Sequence, residues 1–475
     1  MLINYAIYAN RAFRVHPQCA EYFGLAHRWL MGPGRKQEPE LSFINSILGG
    51  IFKMNTFRSV LFVTLAFCLV PLSTQAAGLW LYEGGTPDMG TAAAGRVALA
   101  SDASTASTNP AGMTRLDRSQ LLAGFQILYV DLKFDTEYAE FGGGDGGNAG
   151  GWVPAGSFSY VHKVSPELAV GLTVGSYFGL GIDYGKSWAG RYYVQEGEFL
   201  TVGVNPGVGY KLNDHWSVGL GLSAVNSSLT QKVGIRNIGP NQADGQLKLE
   251  EDDWGFGYNL GILYEPTEKS RLGLAYRSKV ELEYKDTATL KGLQPPLSNL
   301  ANIIGLQENK LSMEMNLPQA VMFSAYHQVT EKLALMGNVG WQDWSDFGES
   351  SASLTSTSTT DLNLDRNFDD TWHFALGLQY QIDDPWLLSV GIAYDESPVS
   401  DSDRTPDMPL DRQWRYATGL QYDLSEDMTI GCAYEFLDAG DAEIRQNRGA
   451  LSGELVGDYS SNYIHFFNIN LIKRF

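Results

Sequence analysis

The sequence is poor in cysteine, histidine and charge, and each shortage removes a class of function. Its 475 residues include three cysteines, Cys19, Cys68 and Cys432. The first two fall in a segment that reads as removable, leaving one thiol, so an internal disulfide and a cysteine metal site are both excluded. Only five histidines lie beyond residue 76, and there is no Gly-x-Ser-x-Gly or His-Glu-x-x-His element. Hydrolytic chemistry needs a nucleophile beside a positioned base, and His373 has no serine partner within its own strand, so the chain reads as no enzyme. Basic charge is also scarce. The net charge is -20; residues 1–76 carry seven basic and three acidic residues, a surplus of +4, so the rest carries -24. A nucleic-acid partner wants a basic face. Charged residues make up only 19% of the chain, and the mean hydropathy of -0.17 is too polar for a helical membrane protein.

What is present is aromatic and glycine-rich: aromatics reach 12% and there are 52 glycines, which argues against disorder for most of the chain. Near the start, Met54, Arg58, the apolar run Val60 to Val70 and the small residues Thr74-Gln75-Ala76 follow the order of a secretory leader. The run is too short to cross a bilayer as a helix. A leader at 54–76 with Ala77 as the first mature residue is expected, and 1–53 then reads as an upstream extension from a start assigned too early.

From about Gln120 onward the chain repeats strand-like runs of period two. In 254–262, Trp254, Phe256, Tyr258, Leu260 and Ile262 alternate with Gly255, Gly257, Asn259 and Gly261. The runs 372–382, 386–394 and 428–436 alternate in the same way. The second face is small and weakly polar rather than charged, which suits a crowded or water-lined interior better than a solvated sheet face. Tyr210 and Trp216 flank one short turn, and Tyr380 and Trp386 flank another; membrane barrels place such rings at the interface. Six short turns, near 165, 213, 267, 330, 384 and 426, alternate with seven long segments: 135–151, 179–192, 233–247, 286–310, 345–369, 396–411 and 438–459. Thirteen connections make 14 strands, an even count with unequal sides, as in bacterial outer-membrane barrels. The expected fold is all-β: a 14-stranded antiparallel transmembrane β-barrel over 119–475. Residues 77–118 break the strand rhythm and are rich in Ala, Gly, Ser and Thr. A barrel of this width needs filling or leaves a channel, so 77–118 is expected to form a plug.

Several motifs carry a resemblance. Ala77-Gly78-Leu79-Trp80-Leu81, Gly95-Arg96, Asp102-Ala103 and Asn109-Pro110-Ala111-Gly112-Met113 resemble the N-terminal hatch of FadL-type fatty acid transporters, in which Asn-Pro-Ala is the hatch signature. Tyr177-Phe178-Gly179-Leu180, Leu212 to Gly221, Leu317-Pro318, Gly391 to Val399 and Asp411-Arg412-Gln413-Trp414 extend the resemblance over essentially all of 77–475. It implies capture of a hydrophobic ligand among the surface loops, transfer to a deeper pocket at the hatch N-terminus, and sideways exit at a kink in the third strand, without ATP or cofactor. On this resemblance Ala77, Gly78, Leu79 and Leu81 line the deep pocket, and Asn109, Pro110 and Ala111 form the hatch core. The third strand is expected at about 167–177, where Gly171 and Gly175 are either bulge points or ordinary small interior residues.

A fatty acid needs an apolar slot and one cation or donor for its carboxylate. Leu297, Leu300 and Ile304 fall at helical spacing within 286–310 and are candidates for the capture groove. Alternation places Arg277, Lys279 and Arg415 inward as carboxylate anchors, with Glu281 and Glu283 on the same inward face as alternative partners of the first two. The implied setting is the Gram-negative outer membrane, with long-chain fatty acids or other hydrophobic small molecules as ligands, membrane lipid and lipopolysaccharide as surroundings, the barrel-assembly machinery as partner, and a monomeric state. An aromatic hydrocarbon channel and an open general porin are the competing readings.

Overall fold

The computed structural model describes residues 80–475, apart from 177, 240–241, 287–288, 304–310 and 355–359. The expected leader and the segment before it lie outside the described residues, as do Ala77, Gly78, Leu79 and Ile304.

Among the described residues 14 strands close an antiparallel barrel. They are β1 (Gln120–Ala139), β2 (Trp152–Lys163), β3 (Leu168–Gly175), β4 (Glu196–Lys211), β5 (Trp216–Ile235), β6 (Gly245–Thr267) and β7 (Ser270–Arg277). There follow β8 (Ala320–Gln328), β9 (Leu333–Gln342), β10 (Thr371–Asp383), β11 (Trp386–Asp395), β12 (Gln413–Ser425), β13 (Met428–Asp438) and β14 (Glu454–Arg474). The first and last strands pair from Gln120 with Arg474 to Ala139 with Leu455 and shut the barrel. Closure leaves no free edge in the bilayer, where an unpaired backbone group has no water to turn to. Connections of two to four residues link strands at one end and long ones at the other.

The alternation sorts side chains as anticipated across the membrane zone. In β6, Trp254 and Phe256 are 54% and 64% exposed while Asn259 is 3% exposed. Aromatic rings pair at the short-turn rim: Trp216 stacks on Tyr264 at 4.3 Å, and Trp386 sits 4.5 Å from Tyr422.

Two features depart from the sequence-based expectation. The wall is taller than expected: β1 and β14 run five and six residues into segments that looked like connections, and β5 and β6 three each. Toward the long loops the outer strand face turns polar while the inner face stays buried, so period-two hydropathy loses its lipid-facing half while the hydrogen-bond ladder continues. Beyond β7 and β8 the chain also builds a four-stranded sheet from Thr360–Asp365, Glu349–Leu354, Leu311–Leu317 and Val280–Asp286. The regular run of β7 stops at Arg277, and across Ser278-Lys279 the facing parity flips. Val280, Leu282 and Tyr284 are buried, and Glu281 and Glu283 are exposed. The expectation that these two glutamates share an inward face with Arg277 is therefore corrected. Tyr284 turns inward far enough to donate to Ser227 Oγ on β5 at 2.6 Å.

The segment before β1 docks on inward-facing side chains around the barrel. Gly85 N–H donates to Gln126 of β1 at 3.2 Å, Thr114 bonds Ser217 of β5 at 2.8 Å, and Asn259 of β6 donates to Ser107 O at 3.1 Å. Arg271 of β7 donates to Ala98 O at 3.1 Å; Ser324 of β8 accepts from Val97 N–H at 3.2 Å, and Asn338 of β9 from Gly95 N–H at 2.8 Å. Asn109 caps the short helix Pro110–Arg115, accepting Ala111 N–H at 3.2 Å, with proline in the first turn. Proline suits that position because its missing N–H has no helical acceptor anyway. Close approach demands glycine on the wall: a Cβ at Gly391 of β11 would collide with the Thr91 carbonyl.

Candidate functional site

The barrel interior has two halves of different character. At the short-turn end it is small and polar, with Gln126, Ser217, Asn259, Asn338, Asn468 and Asn470 buried against the docked segment or beside it. Toward the long loops the inward positions turn bulky and apolar: Leu128, Val130, Leu132 and Phe134 on β1, Val225 and Leu229 on β5, Ile464 and Phe466 on β14. The expectation of a small or polar interior thus holds for one half only. The loops roof the apolar half with Tyr184, Trp188, Phe368, Met408 and Leu410. Arg366 fastens this roof, donating to the partly buried Asp407 at 2.8 Å. Burial pushes the Asp407 carboxyl up, but the guanidinium beside it pulls harder and holds it at about 2.

The floor of the apolar half meets a break in the wall. β3 stops at Gly175, and the same strand line resumes at Gly179–Asp183. Phe178 occupies the break. Trp80 makes an antiparallel backbone bridge to it, and the two rings meet edge-on at 5.4 Å. Phe199, Trp344 and Phe347 surround Phe178 at 6.3, 5.9 and 6.1 Å. Each such aromatic contact is worth roughly 0.5–1.5 kcal/mol beyond burial. Gly175 adjoins this break, whereas Gly171 packs on Met113 and Ala106 of the docked segment.

Behind this aromatic cluster lies a buried polar one. Tyr82 sits 4.3 Å from the His373 ring, and Gln342 donates to its hydroxyl. Arg415 is 1% exposed in its side chain; it donates to Glu83 at 2.9 Å, to Gln413 at 2.8 Å and to Asp395, which also contacts His373 at 2.9 Å. Glu435 stands 3.6 Å from the same guanidinium. Arg415 is inward as expected, yet carboxylates of the protein itself already fill its fork.

A cavity of about 60 Å³ opens beside the segment, lined by Trp80, Leu81, Arg96, Tyr276, Arg277 and Met322 among others. It brings together two of the expected residues, Leu81 and Arg277. Arg277 also donates to Ser107 O at 3.3 Å. Lys279 is elsewhere, paired with Glu281 at 3.3 Å and Asp346 at 3.5 Å beyond the parity flip. Leu297 and Leu300 lie far along the chain on the helix Leu297–Ile303, whose Leu300 and Ile303 are exposed, Ile303 at 81%. Below the segment, a vestibule of about 700 Å³ is lined by charged residues including Arg115, Arg118, Asp423 and Arg474. Sequence reasoning passed over Phe178, Phe199, Trp344 and Phe347 as site residues. Bulky rings at inward or loop positions of an otherwise small-residue interior were the available signal.

Residues 67–475 match the family described as outer membrane protein transport protein (OMPP1/FadL/TodX). The chain is 31% identical, over 81% of its length and 93% of the relative's, to the long-chain fatty acid transport protein of Escherichia coli O6:H1. It is 26% identical to outer membrane protein P1 of Haemophilus influenzae, over 74% of this chain and 85% of that one. Among solved structures, a Pseudomonas aeruginosa FadL homologue superposes with a TM-score of 0.76 at 21% identity, covering 84% of this chain and all of that one. The Ralstonia pickettii toluene transporter TbuX superposes at 0.60 with 20% identity, covering 83% and 99%. The chain belongs to the OMPP1/FadL/TodX family of outer-membrane transport proteins: it is an outer-membrane channel for hydrophobic compounds and not an enzyme.

Proposed function

We propose that this protein carries long-chain fatty acids into the cell by passive diffusion, with residues 77–118 acting as the hatch and the break after β3 as a sideways exit into the membrane. The observation that carries this reading is the Trp80–Phe178 bridge, which seats the start of the docked segment in the wall break at the floor of an apolar compartment. Each methylene leaving water contributes about 0.8 kcal/mol, so a long acyl chain gains on the order of 10 kcal/mol by entering and would lose it again by leaving into water. Exit into lipid avoids that loss; exit through the charged vestibule does not. The 60 Å³ cavity at Leu81 and Arg277 is far below the roughly 300–1,000 Å³ of ligand pockets, so the segment must move for a chain to lodge there. Arg277 supplies the cation for the carboxylate, and the helix carrying Leu297 and Leu300 supplies apolar capture surface. Residues 54–76 are removed on export.

Aromatic hydrocarbon uptake is the second reading, favoured by the ring-lined break and by the toluene transporters of the same fold. Growth on oleate against growth on toluene, in a strain lacking this protein, separates the two. Loss of growth on oleate supports fatty acid uptake; loss on toluene alone overturns it.

A further inference from the structure

The buried guanidinium of Arg415 has two seats for its Nε–H. Glu83, on the docked segment, occupies one at 2.9 Å. Glu435, on the neighbouring strand β13, offers the other at 3.6 Å. Both carboxyls are 1% exposed, and they interact with each other as well as with the guanidinium. The remaining Arg415 nitrogens stay on the wall, bound to Asp395 and Gln413. Glu83 lies three residues after Trp80, so whatever holds Glu83 also holds Trp80 against Phe178.

An Arg–carboxylate contact this deeply buried is difficult to break by simple removal of one partner, because the Nε–H left behind has no water to turn to, even with Asp395 still balancing the charge. A second carboxylate within less than 1 Å of hydrogen-bonding distance removes that obstacle. We propose that Arg415, Glu83 and Glu435 form a two-position latch: Arg415 holds Glu83 while the segment covers the break, and transfers to Glu435 when the segment withdraws. Glu435 is then a positioning residue for transport. It acts through Arg415 and touches no ligand. The proposal rests on the sideways-exit reading, but its components are testable apart from it.

The assay uses the full chain in the outer membrane of cells lacking their own transporter, with Trp80→Cys, Phe178→Cys and Cys432→Ser. The native thiol at 432 is on the exposed barrel face, and the bridged positions 80 and 178 are close enough for a disulfide to report their contact. Glu83→Gln weakens the closed seat, and disulfide formation should slow about tenfold, the effect of weakening one charge-assisted hydrogen bond. Glu435→Gln weakens the open seat; disulfide formation should quicken and oleate uptake should fall. Both substitutions keep side-chain shape, and heat-modifiable electrophoretic mobility reports that the barrel has assembled. If Glu435→Gln does not assemble, Glu435→Asp withdraws the carboxylate by one methylene and should act in the same direction. Opposite shifts for the two positions support the latch, since loss of a merely structural salt bridge would loosen the segment in both. Shifts of the same sign, or none, overturn it. The oxidised parent tests the exit by itself: a formed disulfide with undiminished oleate uptake rejects sideways exit, whatever the two glutamates do.

Discussion

Asn109 ties the docked segment to the barrel wall at Ile262: its amide donates to the Ile262 carbonyl at 3.1 Å and to the Val97 carbonyl at 2.6 Å. One side chain thus joins two turns of the segment to β6 while capping Pro110–Arg115. Asn109→Leu would leave the Val97 carbonyl and the Ala111 N–H without this partner in a buried site, at about 1–3 kcal/mol for each group left unpaired. The expected outcome is an assembled barrel with a loosened segment, visible as larger and more frequent conductance steps in a planar bilayer. Unchanged conductance would show that the segment is held without this tie.

At Gly391 the Thr91 carbonyl leaves no room for a Cβ, whereas at Gly340 the nearest atom to a Cβ is 3.4 Å away, on His373. Gly391→Ala should displace the segment at a cost of about 1–3 kcal/mol, as overpacking does, and Gly340→Ala should not. Protease sensitivity of the segment in isolated outer membranes reads the difference. Equal sensitivity of the two variants would remove the close-approach argument.

The roof carries a pH dependence. Asp407 lies in the loop between β11 and β12, and its carboxyl is held at about 2, against an ordinary 3.8. Because the folded value is depressed, the Arg366–Asp407 pair contributes its full stability above about pH 4, and that contribution disappears as pH falls toward 2. It amounts to about 2 kcal/mol. Pepsin cleavage within 396–412 should therefore accelerate between pH 4 and pH 2 in the parent, and Asp407→Asn should show the faster cleavage already at pH 4. A parent that is equally resistant at both pH values would contradict this.

Leu300 and Ile303 expose large apolar surface on a loop helix that has Ala301 buried beneath it. Replacing both with serine leaves the barrel wall untouched, so assembly should be normal. Uptake of a fluorescent fatty acid at low concentration should fall roughly tenfold, the effect of losing one to two buried methylene-scale contacts. Uptake at the parent rate would remove this helix from the capture surface.

Much of this architecture is legible along the chain, and the illegible parts have a common cause. Alternation in 254–262 and 372–382 reports which residues face lipid, because lipid selects bulky apolar side chains one position in two. The same alternation predicted Arg415 inward. It could not show that Glu83, more than 300 residues earlier, would meet it, nor that parity flips at Ser278-Lys279 and turns Glu281 and Glu283 outward. Lys279 departs from its expected inward facing for the same reason: a single irregular dipeptide reverses every facing assignment after it.

By itself, the sequence determined the closed 14-stranded wall, its sidedness and its lipid-facing surface. These follow from period-two hydropathy and turn spacing, which are local and act strand by strand. Only the tertiary structure decided what the lumen does. Folding the segment back against the wall puts Trp80 in the break at Phe178 and sets two carboxylates around one buried arginine. Those contacts depend on strand register around the whole ring, a long-range property that no local pattern encodes.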